Sequence, residues 1–444
     1  MSPDPTHRER GRLRVAVLSP SAELGGAERS LVTFMKGAAS YNIEATVVLP
    51  RDGPLRHELS GLGICCRIVR QPRALLCQSR RLRAESLAMA LPLLLQAPGY
   101  LWRLAATIRR LRPHVIYTNG VKSHLLASAL RPAVRRPIVW HIRALWPDAL
   151  PRSIATIGAD LIVTNSRSTA ESLGAGTECQ GRIAVVYDGV DTKEFSPEGP
   201  VVDLGPVPPA AGKVALPGAF ARLKGHDLFL EAASEVRREL PSTRFFLIGG
   251  AIYDTAANRG YEAELRRSVA GKGLTDAVVF TGFQRKMAPW YRAMDVVVNA
   301  SIEPEGFGQT MLEAMSCARA VAGPRAGGIA EFVEHGRNGL LYEMGDADAL
   351  AEAILTLLRD PALRQRLGAE GRKTATENLP METFVEGMAQ VLRRAAAAGS
   401  SAEHAGVGRT RPGRGPREQG GSVWARRTRR RATKLLRSGP ASRA

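Results

Sequence analysis

Short, almost wholly apolar runs recur along this chain, each followed by a Gly/Asn turn and a helical stretch. That rhythm constrains the fold more than any other feature. In the first half the runs are Leu13–Leu18, Ala45–Leu49, Val115–Thr118, Ile138–Ile142, Leu161–Asn165 and Ala184–Tyr187. A strand with one wet face alternates apolar and polar residues, whereas a run that is apolar throughout has both faces covered, as in a parallel sheet between helices. The intervening segments are long enough for crossover helices, so the sequence predicts an α/β fold with a doubly wound sheet.

The rhythm breaks at Ser196–Gly212, where five prolines and no periodicity mark a linker. It restarts with Val214–Pro217, a helix through Asp227–Glu239, then Phe245–Ile248, Val278–Phe280, Val296–Asn299 and Ala320–Ala322. The predicted organisation is a first α/β domain over 12–197, a linker over 198–212, a second α/β domain over 213–380 and a closing helix over 381–398. Two such arrays leave a central cleft between them. Ligands of open α/β sheets sit beyond the carboxyl ends of the strands, so chemistry is expected in loops directly after strands.

The net charge of +20 is unevenly spread: +10 over residues 1–212, zero over 213–400 and +10 over 401–444. Residues 399–444 are rich in Gly, Pro, Ser and Arg and are expected to form a disordered basic tail. Residues 70–112 hold nine arginines against one glutamate, and they surround the most apolar stretch, Leu87–Leu95, which is too short to span a bilayer. Arg80, Arg81, Arg83, Arg103, Arg109, Arg110 and Arg112 around such a stretch suit a contact with an anionic leaflet. A buried helix between two solvated basic turns accounts for the pattern equally well. The five cysteines are odd in number and lack a CxxC pair, which fits reduced thiols. With a polar Met1–Arg14 start, the expected location is cytoplasmic, with the basic block as a candidate contact to the inner face of the membrane.

The most specific chemical signal is Glu305-Gly306-Phe307-Gly308-Gln309-Thr310-Met311-Leu312-Glu313, following the run Val296–Ala300. Its glycines allow close backbone approach, and a helix starting near Gly308 would aim the N–H groups of Gln309, Thr310 and Met311 into the cleft. Such a helix start suits a diphosphate, and the flanking carboxylates can accept from sugar hydroxyls. Lys224-Gly225, after the first strand of the second array, supplies a fixed cation, and Arg222 is a second candidate. In the first array, Gly25 and Gly26 open a helix after Leu13–Leu18, a weak phosphate-loop signal by itself. His141, in Trp140-His141-Ile142-Arg143, ends another strand. No Asp-x-Asp directly follows a hydrophobic strand, and no compact carboxylate or His cluster suggests a metal.

Taken together, Glu305-x7-Glu313, Lys224-Gly225, Gly25-Gly26-Ala27-Glu28 and His141 resemble the retaining glycosyltransferases of family 4. The resemblance covers roughly residues 12–395 and also takes in Asn119-Gly120, Asp188-Gly189 and Gly327-Gly328-Ile329-Ala330-Glu331. It implies the GT-B fold, in which two Rossmann-like domains face a central cleft. It also implies a hexosyltransferase using a nucleoside-diphosphate sugar (UDP or GDP) without a metal or other cofactor. The acceptor class it implies is a glycan, a lipid-linked molecule or a small molecule. By the same resemblance Glu305 contacts the donor sugar and Glu313 the ribose, Lys224 and His141 join the catalytic set, and Gly25 and Gly26 face the donor phosphates. The chain departs from the family pattern at Ala219, where an arginine is usual, and at Asp188, where asparagine is usual. A sugar-nucleotide epimerase or a silent GT-B protein shares the cleft but lacks this paired arrangement. A polyanion-binding scaffold acting through the Arg-rich tail is the rival from another class. No stacking platform or recognition helix points to specific nucleic-acid binding.

Overall fold

A computed structural model describes residues 11–72, 87–147, 153–174, 181–205, 207–208, 211–251 and 258–404. Arg80, Arg81, Arg83 and the basic tail beyond 404 lie outside the described residues.

The first half contributes seven strands: β1 Leu13–Leu18, β2 Ile43–Leu49, β3 Cys65–Ile68, β4 Val115–Asn119, β5 Ile138–Ile142, β6 Leu161–Thr164 and β7 Ile183–Val185. The second contributes six: β8 Lys213–Pro217, β9 Arg244–Ile248, β10 Val278–Phe280, β11 Val296–Val298, β12 Ala320–Pro324 and β13 Leu340–Tyr342. Their orders are β3-β2-β1-β4-β5-β6-β7 and β10-β9-β8-β11-β12-β13, and every neighbouring pair is parallel. These are two Rossmann-like sheets with helices on both faces. Strands β4, β5 and β6 are buried at every residue, which is the physical reason for their unbroken apolar runs. Each order reverses once, between β1 and β4 and between β8 and β11, and those reversals open the crevices where ligands of such sheets bind.

Three packing features position the site. The segment after Glu194 is pinned by Arg292, whose guanidinium donates to the carbonyls of Glu194 (2.9 Å), Ser196 (2.8 Å) and Pro200 (3.1 Å). The helix Met381–His404 leaves the second half and packs beneath the first sheet, where Phe384, Met388 and Leu392 share a core with Leu31, Phe34 and Tyr117. The helix Leu87–Leu111 packs Tyr100, Leu104 and Ile108 against Leu18, Ile116 and Trp140, while Trp102, Arg103, Arg109 and Arg110 stay exposed. Among the described residues no helix is long and apolar enough to cross a membrane.

Candidate active site

After β8 the chain makes a single 3₁₀ turn, Arg222–Lys224, and then Gly225 with φ 65°. A Cβ at Gly225 would lie 1.8 Å from the carbonyl oxygen of Ala300, so only glycine lets this turn press against the chain leaving β11. The Ile302 amide donates to the Leu223 carbonyl at 3.0 Å and ties the two loops together. The result is a direct contact at the β8/β11 crevice: Lys224 Nζ donates to Glu305 Oε1 at 2.8 Å. Asn299 Nδ2 donates to the same oxygen at 2.8 Å, as does the Ser301 hydroxyl. Burial alone would raise the Glu305 pKa. Lys224 and the two hydrogen bonds outweigh it and hold the carboxyl below its usual range.

Glu313 sits one turn into the helix Gln309–Ser316, 5% exposed, and accepts from Tyr291 Oη at 2.8 Å. Burial pushes its carboxyl up to about 7, against the opposing pull of Arg29 and the Tyr291 hydroxyl. A carboxyl that holds its proton more tightly in the folded chain makes folding less favourable as pH rises from its ordinary 4.5 to about 7. That displacement corresponds to about 3 kcal/mol. We therefore expect Glu313→Gln to flatten the loss of donor-free stability between pH 5 and pH 8. Urea midpoints at those two pH values check this, and a variant with the wild-type slope would refute it.

The helix after Gly308 begins where the sequence puts it, but its first turn closes more tightly than expected. The Met311 amide bonds back to the Gly308 carbonyl at 3.0 Å, so the amides offered beyond the helix are those of Gln309 and Thr310. Met311 and Phe307 are packing residues. Met311 is fully buried, and Phe307 packs at a tilt against Phe332, with 5.0 Å between ring centres. Arg222 is also redirected, because the 3₁₀ turn points it outward. There it pairs with Glu264 and lies 4.7 Å over the Tyr261 ring, away from Lys224.

Gly306 forms the junction with the first half. A Cβ there would meet the Arg143 carbonyl oxygen at 2.2 Å, so the Glu305–Gly308 loop rests directly on the backbone after β5. Glu331 crosses the same junction: its carboxylate accepts from the amides of Arg167 (3.0 Å) and Ser168 (2.8 Å) and from Tyr187 Oη (2.8 Å). Arg29 also reaches across, donating to the carbonyls of Gln284 (2.9 Å) and Arg285 (3.3 Å). Gly327 and Gly328 lie against the Glu305–Phe307 backbone, with the Gly328 amide donating to the Glu305 carbonyl at 2.9 Å.

On the first-half side, Gly25 and Gly26 open the helix Gly26–Ala38, which has no side-chain cap, and open space surrounds the Gly26 Cβ position. His141 is completely buried at the end of β5. Its Nδ1 lies 3.2 Å from Arg143 Nη2 and 2.8 Å from Tyr117 Oη. Arginine can only donate, so Nδ1 accepts and the ring proton sits on Nε2, which has no partner. Burial, followed by the neighbouring Arg143 charge, keeps the ring neutral. Arg143 in turn donates to Asp188 Oδ1 (2.7 Å) and Asn119 Oδ1 (2.9 Å). Asp188 also accepts from Ser30 and Asn165, so this departure from the family pattern is a buried ion-pair partner as well as a turn residue.

The sequence reading missed Arg29, Arg143, Asn299, Ser301 and the bridging role of Glu331. All five lie inside or within a few residues of the motifs that drew attention, and what they do depends on contacts between segments up to 256 residues apart.

With this geometry in view, comparison with known proteins is informative. Residues 24–194 match the description Glycosyltransferase Family 4, and residues 211–360 match Glycosyl transferases group 1. The chain is 32% identical over 263 residues to a D-inositol 3-phosphate glycosyltransferase of Pseudarthrobacter chlorophenolicus, covering 57% of this chain and 58% of that protein. It is 30% identical over 287 residues to the lipopolysaccharide core biosynthesis mannosyltransferase LpcC of Rhizobium leguminosarum bv. viciae, covering 64% and 78%. Its fold matches the crystal structure of Anabaena HepE in complex with UDP and glucose, with a TM-score of 0.72 at 22% identity over 86% of this chain and all of that one. The paired glutamates, the lysine at the crevice and these matches converge: the chain belongs to glycosyltransferase family 4, the group 1 glycosyltransferases, and has the GT-B fold.

Proposed function

We propose that this protein is a retaining hexosyltransferase that moves a hexose from a UDP- or GDP-sugar to a glycan, lipid-linked or small-molecule acceptor. The observation that carries the reading is the Lys224–Glu305 contact at the β8/β11 crevice, beside the start of the helix Gln309–Ser316. Charge builds on the departing diphosphate in the transition state, and a preplaced cation with two outward amides, those of Gln309 and Thr310, answers that charge without reorganisation. Glu305 is oriented by Asn299 and Ser301 and serves as an acceptor for sugar hydroxyls, while Glu313 serves the ribose. His141 contributes its one unused N–H. The contacts of Gly306 and Glu331 close the halves over the donor and keep water out. The similarity to a D-inositol 3-phosphate glycosyltransferase and to a lipopolysaccharide core biosynthesis mannosyltransferase favours this reading over an epimerase.

Melting in the presence of a panel of nucleotide sugars tests it. A donor at a hundred times its Kd stabilises the fold by about 2.7 kcal/mol, so one UDP- or GDP-sugar raises the Tm by several degrees while the free hexose does not. A flat response across the panel would sink the proposal.

A further inference from the structure

We propose that Arg29, carried by the first half, is a positioning residue for the donor nucleoside. It fastens the loop after β10 and completes the seat around Glu313 only when the two halves are together. The proposal rests on the transferase reading, in which Glu313 receives the ribose.

Arg29 stands in the first turn of the helix Gly26–Ala38. Among the described residues its guanidinium meets neutral groups across the junction: the carbonyls of Gln284 and Arg285 and, 5.8 Å away, the ring of Phe283. Gln284 is folded back within this loop, its side-chain amide donating to the Thr281 carbonyl at 2.8 Å. Arg285 pairs with Glu58 of the first half, so the loop is held from that side at two points. From here the chain runs directly into the helix Ala288–Ala293, where Tyr291 Oη donates to Glu313 Oε2 at 2.8 Å. Arg29, the loop, Tyr291 and Glu313 thus form one connected path from the first half to the ribose carboxylate.

Carbonyls orient a guanidinium without cancelling its charge. That charge is the strongest pull on Glu313 against burial, and it reaches Tyr291 as well. The other groups around Glu313 supply no such charge. Burial keeps Tyr291 neutral, and Cys317, at the end of the same helix, is a thiol pushed up to about 12. Glu194, on the segment after β7, pushes the other way and is itself paired with Lys36. Arg372, on the helix Pro361–Glu377 packed alongside, donates to the carbonyls of Thr192, Phe195 and Ser316. A ribose brings hydroxyl donors, and an ionised carboxylate accepts with both oxygens, whereas a protonated one spends an oxygen on its own hydrogen. The second half by itself therefore holds a buried carboxyl that favours its proton, and the first half brings the charge that frees it. Donor binding and the approach of the halves become one linked event.

Calorimetric titration of UDP and of GDP into the full-length wild type and Arg29→Met, at pH 6 and pH 9, tests this, with circular dichroism checking the fold. The nucleotide's own phosphate titrates equally against both chains, so the ratio of their affinities is read. Without Arg29 the Glu313 carboxyl keeps its proton to higher pH, so Arg29→Met should lose about tenfold more affinity at pH 6 than at pH 9. Arg29→Lys keeps the charge and loses the fork, and should show little of that difference. In a Glu313→Gln background, Arg29→Met should cost the same at both pH values. An equal loss at pH 6 and pH 9 with Glu313 intact, or no loss, would overturn the proposal. The transferase reading is judged separately, by the nucleotide-sugar melting shift of the wild-type chain. A wild type that shifts beside a pH-independent variant refutes the role of Arg29 alone, whereas a wild type that neither shifts nor binds UDP or GDP removes both.

Discussion

Replacing Lys224 with alanine lowers the turnover of sugar transfer by about 10²–10³-fold while the chain stays folded. Among the described residues Lys224 is the one cation that touches Glu305 in the crevice, and Arg222, the nearest basic neighbour in sequence, is occupied by Glu264. The position usually held by arginine in the family is Ala219, so no side chain there stands ready to replace the lost charge. Lys224→Arg should recover only part of the rate, because a planar fork cannot occupy the place of a point charge bonded to one oxygen. The same substitution changes Glu305. Its carboxyl is held low against burial chiefly by Lys224, so stability from the pair is present above the ordinary carboxylate pKa and lost as pH falls through the lowered one. Without Lys224 that contribution disappears and the carboxyl takes up a proton more readily. Initial rates with the donor identified by melting, set beside circular dichroism, decide the matter; near-wild-type turnover in a folded Lys224→Ala chain removes the lysine from the mechanism.

Asp188→Ala is expected to cost about 3–5 kcal/mol of folding stability, the largest single effect outside the crevice. The Arg143–Asp188 pair is nearly dry, with side-chain exposures of 7% and 4%. Removing the carboxylate leaves a buried guanidinium whose hydrogen-bond partners, Asn119, His141 and Tyr117, are neutral. It also strands the Ser30 hydroxyl and removes one of the two acceptors of the Asn165 amide, which keeps the Arg143 carbonyl. Asp188→Asn keeps the oxygen and loses the charge, so its cost falls between wild type and alanine. Adding Arg143→Met to Asp188→Ala should restore part of the stability, since the cost is that of an uncompensated charge. Urea midpoints for the four chains test this, and a loss below about 1 kcal/mol in Asp188→Ala shows that the pair contributes little.

The contrast between these two sites shows how far the sequence could be read. Strands β1, β5 and β10 lie where the apolar runs put them, because both faces of a parallel strand must be covered and the composition records it. Two strands escaped notice, β3 Cys65–Ile68 and β13 Leu340–Tyr342. Both are short and lie at the edges of their sheets, and β3 leaves Cys65, Arg67 and Ile68 exposed, so no continuous apolar run announces it. That Lys224 and Glu305 lie at one crevice was legible because glycines of fixed spacing surround them, and those glycines meet steric demands the structure makes explicit. Arg222 was misjudged because sequence proximity says nothing about the direction a 3₁₀ turn gives each side chain. Asp188 was undervalued for a related reason: a carboxylate in a Gly-containing turn has no sequence mark that tells a solvated group from one enclosed with an arginine 45 residues away.

The placement of the helix Met381–His404 has a consequence for biogenesis. The first sheet buries its inner helical face against Phe384, Val385, Met388 and Leu392, side chains synthesised some 200 residues after its last strand. While the ribosome is still making β8 to β13, that face is covered only in part, by Leu31, Phe34 and Leu55 among others, and the remainder is an adhesive surface open to chaperones. The amino-terminal half is thus completed last, and a chain cut after the linker would emerge with a sticky flank.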